Sequence, residues 1–335
     1  VVNLNSTPIY NFRIHHNRFI NSNLNGSGEK QAAIYTRGNT FGLIDQNEFY
    51  NNFKDIVVLG NQSGTWANFP GLANAGTNKY LYIENNTSSR SAGFTRDLFI
   101  GETGEGARWV GRYNTVSMSG SGDTMDMHGD TSNRGVVAVE FYENTITSGS
   151  NPLTGGGGNL QQRGGFGMMY NNTYEYGTDG VRALDRISEE YASCTNPGGC
   201  PNSTGCGDGV NNSYHWNNKN SRNNAPMYFA HHGGHGWDEY DPFNCVTEQT
   251  DFWVDTQDGS TPPKPTTYFT KGLASGRNLT TCTAQDVYWE TDNKKLYRCT
   301  APNTWTASYT PYTYPHPLTK TTLKGDVNLD GSVNV

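Results

Sequence analysis

Apolar and polar residues alternate in short runs that each end at an asparagine, and this pattern recurs through the first half of the chain. The clearest copy is the run RGVVAVEFYENTITS at positions 134–148. The anchoring asparagines are separated by 30, 39, 28, 30 and 28 residues, and they are Asn17, Asn47, Asn86, Asn114, Asn144 and Asn172. A repeat of this length predicts a solenoid, in which stacked units bury apolar faces that no single unit buries alone.

The alternation within each copy has the period of a strand with one buried face. The positions predicted to point inward lie three residues before each anchor and two residues after it; they are Ile14, Ile44, Ile83, Gly111, Phe141 and Met169, then Phe19, Phe49, Ser88, Val116, Ile146 and Tyr174. We expect each asparagine to mark a tight bend, because Asn tolerates left-handed backbone angles. A column of such residues would also form an amide ladder along the stack.

These asparagine-anchored coils resemble the pectate-lyase-like and polygalacturonase-like superfamily over roughly residues 9–250. The resemblance implies an all-β protein, a right-handed parallel β-helix (solenoid) with a small disulfide-linked C-terminal cap. We expect three regions: a β-helix at 1–250 that lacks its native N-terminus, an extension and cap at 251–320, and a truncated calcium loop at 321–335. Fold does not determine function, which depends on individual sites.

Each coil contains a second extended segment, and long insertions interrupt the rhythm. The second segments are predicted at 33–37, 55–60, 97–102, 123–130, 180–186 and 227–232, and the insertions at 61–78 and 188–212. Solenoids place such insertions on one face, which is often the binding face.

Composition excludes some classes of protein. Hydrophobic residues make up 33% and charged residues 16%, but aromatic residues reach 12%, which favours a turn-rich β protein over a disordered one. The net charge of −7 and the lack of a basic run argue against nucleic acid as a partner. No apolar stretch approaches the ~20 residues that span a membrane.

The six cysteines all lie in the second half, and they are Cys194, Cys200, Cys206, Cys245, Cys282 and Cys299. Disulfides in an exported protein are the favoured interpretation, and a cysteine-ligated metal is the alternative. We expect Cys282 to pair with Cys299, and Cys245 to pair with one of the three earlier cysteines.

Two segments of the C-terminal region resemble known modules. Residues 282–318 resemble the closing segment of bacterial secreted β-helix proteins, and a cap of this kind would cover exposed strands and apolar surface. The run GDVNLDGSVN at 325–334 resembles the first calcium loop of a dockerin, although the acidic ligand expected at position twelve of the loop is missing. The resemblance implies a Ca²⁺ site, a cohesin-like partner and a secreted or cell-surface protein, with the ligands Asp326, Asn328, Asp330 and Asn334.

The strongest catalytic candidate is the pair Asp126 and His128, which alternation places on one exposed face ~7 Å apart. Such a pair would act as a general base or bind a metal. We expect Arg163 and Arg182 on neighbouring coils to keep the carboxylate ionised and to bind an acidic sugar. The alternative is a polar surface strand with turn-capping aspartates.

Other residues are candidates for substrate or metal binding. An outward row two residues before the anchors includes Asp45, Glu84 and Arg112, and the rings of Phe99 and Tyr228 would pack against sugars. The residues from 231 to 241, with three histidines and three acids, are a second metal candidate or a Gly/His-rich surface loop.

Two functions follow from these patterns. The first is an exported polysaccharide-active protein, a lyase or glycoside hydrolase, that binds its glycan along an exposed strand face. The second is a non-catalytic extracellular structural or adhesive protein that assembles with further copies of itself.

Overall fold

The fold is taken from a computed structural model of the 335-residue chain. The structure describes the following residues: 2–5, 9–22, 31–60, 74–91, 99–118, 124–127, 135–148, 160–162, 164–175, 184–187, 210–221, 224–231, 247–257, 260, 262–278 and 280–320.

Three parallel sheets account for the first twenty-three strands, and the chain visits them in turn. The first sheet contains β1 (Val2–Asn5), β4 (Ile34–Arg37), β7 (Ile56–Leu59), β10 (Ile100–Gly104), β13 (Met125–Met127), β16 (Leu160–Gln162), β19 (Leu184–Ile187) and β22 (Tyr228–His231). The second contains β2 (Ile9–His15), β5 (Thr40–Asp45), β8 (Leu81–Glu84), β11 (Arg108–Arg112), β14 (Ala138–Tyr142), β17 (Phe166–Tyr170), β20 (Ser213–Trp216) and β23 (Phe252–Val254). The third contains β3 (Arg18–Ile20), β6 (Glu48–Tyr50), β9 (Thr87–Ser89), β12 (Thr115–Met118), β15 (Thr145–Ser148), β18 (Thr173–Glu175) and β21 (Lys219–Asn220).

We call one passage through the three sheets a coil, and each strand pairs in parallel with its equivalent on the next coil. Phe141 of β14, for example, aligns with Gly111 of β11 and with Met169 of β17. This all-β arrangement of parallel sheets is compatible with a parallel β-helix or solenoid, as the repeat predicted.

The predicted inward positions form one apolar cluster between the three sheets. Ile44, Ile83, Phe141 and Met169 from the second sheet meet Phe49, Val116, Ile146 and Tyr174 from the third, and β7 and β13 of the first sheet add Ile56, Val58, Met125 and Met127. Ser88 occupies a polar inward position of the third sheet, and its hydroxyl donates to the buried carboxylate of Asp55. The period-two pattern therefore identified the core.

The bend between the second and third sheets differs in detail from the prediction. The left-handed backbone angle belongs to the residue before each anchoring asparagine, as in Gln46, Tyr113 and Glu143 with φ of 53°, 56° and 56°. The asparagine itself turns its side chain into the stack. The prediction assigned both tasks to one residue, whereas two adjacent residues share them.

The anchoring asparagines form a continuous hydrogen-bonded ladder. The Oδ1 atom of Asn144 accepts from the backbone N–H of Asn114 at 3.0 Å and from its Nδ2 at 3.0 Å. Asn144 in turn donates to Oδ1 of Asn172 at 3.2 and 2.9 Å, and Asn172 donates to Asn218 at 3.1 and 3.0 Å. Asn114, Asn144 and Asn172 are buried, which confirms the predicted ladder.

A four-stranded sheet near the C-terminus follows the stack. Its strands are β24 (Phe269–Gly272), β25 (Val287–Glu290), β26 (Lys295–Ala301) and β27 (Thr304–Tyr309), and short 3₁₀ helices lie at Ala274–Gly276 and Pro317–Lys320. The predicted disulfide between Cys282 and Cys299 is present. The other four cysteines lie outside the described residues. Among the residues described, no helix has the length and apolar character needed to cross a membrane.

We expect Asn144→Leu to lower the free energy of unfolding by about 1–3 kcal/mol, because buried N–H groups of Asn114 lose their acceptor and the buried Oδ1 atom of Asn172 loses one of its two donors. Asn17→Leu is the matched control, since Asn17 lies at the exposed end of the same ladder. Urea unfolding of both variants measures the difference. Equal losses in the two variants would contradict a role for burial in the ladder.

Candidate functional site

The outer face of the second sheet carries a row of large polar and aromatic residues in register. Asp45, Glu84 and Arg112 are aligned on successive strands, and the row continues with Tyr142, Tyr170 and Trp216. The last three rings are stacked, with centroids 4.5 and 4.1 Å apart. The sequence pattern identified this row and its outward direction.

The row is covered by the C-terminal residues 309–320, which we call the clasp. The Nη1 and Nη2 atoms of Arg112 donate to the backbone oxygens of Tyr312 at 2.7 Å and of Thr313 at 2.9 Å. The backbone N–H of His316 donates to Glu84 at 2.9 Å. Asp45, Glu84 and Arg112 are completely buried, so the expectation that they bind substrate on an exposed face is corrected.

Ion pairs satisfy the charges beneath the clasp. Arg112 contacts Glu84 at 2.7 Å, and Arg13 contacts Asp45 at 2.7 Å. Burial raises the pKa of Glu84, and the nearby Arg112 guanidinium opposes that shift. Because these buried charges are already paired, they are not free to bind a substrate.

His316 is the histidine of the clasp. Burial lowers the pKa of its imidazole to about 4, with a further contribution from the positive charge of Arg112, while the carboxylate of Asp45 opposes the shift. The backbone N–H of Leu318 donates to Nδ1 of the ring at 3.2 Å, which requires that nitrogen to be unprotonated. His316 is therefore neutral in the closed clasp.

Two other candidates are placed differently from the prediction. Phe99 lies in the core, with its ring 6.3 Å from that of Phe49, so it offers no face to a sugar. Asp126 lies on β13 with only 7% of its surface exposed. Its backbone oxygen accepts from the hydroxyl of Thr103 at 2.7 Å. Asp126 thus sits in a packed sheet and not on the exposed face that alternation suggested.

The remaining predicted site residues fall in parts of the chain that the structure does not describe. His128, Arg163 and Arg182 are among them, as are the dockerin-like ligands Asp326, Asn328, Asp330 and Asn334. Tyr228 belongs to β22, but its side chain lies outside the described residues, and so does the run 232–241. Within the described ranges, no group of three His, Cys, Asp or Glu side chains could hold a metal ion.

An open groove of about 610 Å³ lies in the C-terminal sheet, and we call it the cap groove. Three aromatic side chains line it: Tyr268, Tyr288 and Trp305. The rings of Tyr288 and Trp305 meet edge to face with centroids 6.4 Å apart. A concave site with several aromatic faces is the usual setting for binding a small molecule or one unit of a polymer.

Hydrogen bonds to the backbone fix two of these rings. The hydroxyl of Tyr288 donates to the backbone oxygen of Leu273 at 2.7 Å, and the indole N–H of Trp305 donates to that of Asn278 at 2.7 Å. Both rings are therefore held in place before a ligand arrives. The groove is also lined by the polar side chains of Thr267, Thr270, Lys271, Ser275, Asn278, Thr281 and Asp286.

The sequence analysis interpreted this region only as a cap and did not identify the groove. A signal was nevertheless present, because Tyr288 lies inside the segment closed by the Cys282–Cys299 disulfide and Trp305 follows that segment by six residues. What the sequence did not show is that Leu273, Ser275, Gly276, Asn278 and Thr281 also line the groove.

Comparison with protein-family models, with curated proteins and with solved structures finds no match for this chain.

We expect His316 to make the folded state sensitive to acid. Its folded pKa of about 4 lies below the ordinary value of 6.5, so between these values the unfolded chain binds a proton that the folded chain excludes. Its contribution to stability is complete above pH 6.5 and falls by at most about 3 kcal/mol as the pH approaches 4.

The variant His316→Gln keeps a hydrogen-bond acceptor near Leu318 but does not titrate. The difference in unfolding free energy between the natural protein and this variant should therefore shrink or reverse as the pH is lowered from 6.5 to 4. Chemical unfolding across that range measures it. A difference that does not change with pH would contradict the assigned role of His316.

Proposed function

We propose that this protein is an exported right-handed parallel β-helix that binds a polysaccharide, without chemical conversion, through the cap groove. The observation that carries the proposal is the set of three aromatic rings in one open groove, accompanied by hydroxyl, amide and charged groups. Sugar rings have apolar faces that pack on aromatic rings and hydroxyl groups that need hydrogen-bond partners, and the groove supplies both.

The charges of the cap groove favour a neutral glycan over an acidic one. Lys271 is the positive group of the groove, and its ammonium is paired with Asp255 at 2.7 Å. Asp286 is the negative group, and its carboxylate accepts from the backbone N–H of Thr283 at 2.8 Å. Uronate sugars would therefore meet no free positive charge on these side chains. The proposal does not include the binding of an acidic sugar by Arg163 and Arg182.

Export is supported by the disulfide and by the resemblance of the C-terminal region to secreted proteins. Cys282 and Cys299 join two parts of the cap, and such bonds persist in oxidising compartments. The dockerin-like run at 325–334 adds a Ca²⁺ site and a cohesin-like partner to the proposal by resemblance alone.

Burial of the second sheet's outer face is the reason for preferring binding to catalysis. The clasp covers the row of Asp45, Glu84 and Arg112, which a lyase or hydrolase would otherwise expose to its substrate. A catalytic alternative centres on Asp126, because this residue lies on the fifth of the eight strands of the first sheet.

We expect Trp305→Ala to weaken binding of a neutral polysaccharide at least about tenfold, because a preorganised aromatic face is lost. The probes are soluble cellulose derivatives, xylan and mannan, with polygalacturonate as the acidic comparison, in affinity electrophoresis. Tyr10→Ala is the matched control, since Tyr10 is 55% exposed in the first coil and far along the chain from the groove. Unchanged affinity in Trp305→Ala, with the fold intact by circular dichroism, would contradict the proposal.

The same polysaccharides distinguish binding from catalysis. We expect no release of reducing ends and no rise in the ultraviolet absorbance of unsaturated uronates. If either product forms and Asp126→Asn lowers its rate about 10²–10⁴-fold, the protein is an enzyme that uses Asp126 in acid–base catalysis. That result would replace the proposed function.

A further inference from the structure

A second groove, of about 350 Å³, lies where the clasp meets the second sheet and the β25–β26 turn. We call it the clasp groove. Its walls include the rings of Tyr113, Tyr142 and Tyr314 and the charged side chains of Glu143, Asp292 and Lys294. Of the site residues predicted from the sequence, Arg112 alone lines the clasp groove, and its side chain is buried there.

Stacked tyrosines give the clasp groove an aromatic wall. The rings of Tyr113 and Tyr314 lie with centroids 3.7 Å apart and planes inclined by 30°. Tyr142 meets Tyr113 edge to face at 6.4 Å. The hydroxyl of Tyr314 donates to Asn85 at 2.7 Å, so the wall joins the clasp to the coils. These rings are fixed before a ligand binds.

Carboxylates with spare hydrogen-bonding capacity flank the aromatic wall. One oxygen of Glu143 accepts from Asn171 at 2.8 Å, and one oxygen of Asp292 accepts from the backbone N–H of Ala274 at 2.9 Å. In the part of the chain that the structure describes, no hydrogen bond reaches the second oxygen of either carboxylate. A carboxylate oxygen accepts from sugar hydroxyls, so these atoms are suitable ligands for a hydroxyl-rich ring.

The two grooves adjoin at Asp292. This residue lies in the turn that lines the clasp groove, whereas its partner Ala274 begins the short helix Ala274–Gly276. Ser275 and Gly276 of that helix line the cap groove. The hydrogen bond between Asp292 and Ala274 therefore connects the wall of one groove with that of the other.

We infer that the glycan bound by this protein is an extended neutral chain that occupies the cap groove and the clasp groove together. The inference rests on the proposed function and adds a second subsite. Of the charged side chains that line this groove, Glu143 and Asp292 are negative and Lys294 is positive, and Arg112 is already paired with Glu84. Because one ligand occupies both subsites, binding at the second subsite costs little additional entropy of association. The affinity should therefore rise with the length of the glycan chain.

The test measures affinity against glycan length by titration calorimetry, using cello-, xylo- and manno-oligosaccharides from the disaccharide to the octasaccharide. We expect affinity to rise about tenfold or more once an oligosaccharide is long enough to reach the second groove. Tyr113→Ala and Glu143→Gln should abolish this rise and leave the affinity of the shortest bound oligosaccharide unchanged. Tyr113→Phe, which keeps the ring, should retain it.

Trp305→Ala should weaken the binding of oligosaccharides of every length, whereas Tyr113→Ala should weaken the binding of long ones only. The two subsites are therefore distinguished by how the loss of affinity depends on length. Affinity that does not change with length in the natural protein, while Trp305→Ala still weakens binding, would overturn the second subsite alone. An equal effect of Tyr113→Ala on short and long oligosaccharides would overturn it too. Failure of every oligosaccharide to bind the natural protein would overturn both the proposed function and this inference.

Discussion

The asparagine ladder is the constraint on which the rest of the molecule depends. Each side-chain oxygen accepts two N–H groups from the preceding coil, one from the backbone and one from the side chain. A buried amide that lost these partners would leave several polar atoms unsatisfied, which is costly in an apolar interior. The ladder therefore holds every coil in the same rotational position, whatever the length of the insertion between successive asparagines.

Rows of equivalent residues follow directly from this fixed alignment. Because Asn86, Asn114 and Asn144 stack, the residues two positions earlier stack as well, and Glu84, Arg112 and Tyr142 meet on adjacent strands. A buried ion pair needs further partners to offset its loss of hydration. Arg112 finds them in the hydroxyl of Tyr142 and in two backbone oxygens of the clasp.

The repeat made the inward positions predictable, because an inward position must be apolar in almost every coil. The alternation of apolar and polar residues with a period of two is evident in the amino-acid sequence. Asn218 extends the ladder but was missed, since 46 residues separate it from Asn172 and hide the period. The bend was assigned to the asparagine, whereas the backbone strain is carried by its neighbour, as in Tyr113. The direction of the outer row was correct, but its exposure was not. Contacts between Arg112 and residues 200 positions later leave no trace in a local pattern.

The same contacts explain why binding would depend on a rigid cap. The cap joins the coils through apolar packing, as between Trp216 and Trp289 with ring centroids 4.9 Å apart, and through hydrogen bonds from Arg112 to two backbone oxygens of the clasp. If the clasp moved away, Arg112 would keep its ion pair with Glu84 but would lose these two acceptors. The two grooves therefore keep a fixed spacing before any ligand arrives, and a ligand that fits both loses little further freedom. The buried Arg112 thus contributes to the clasp groove by holding the clasp that forms one of its walls.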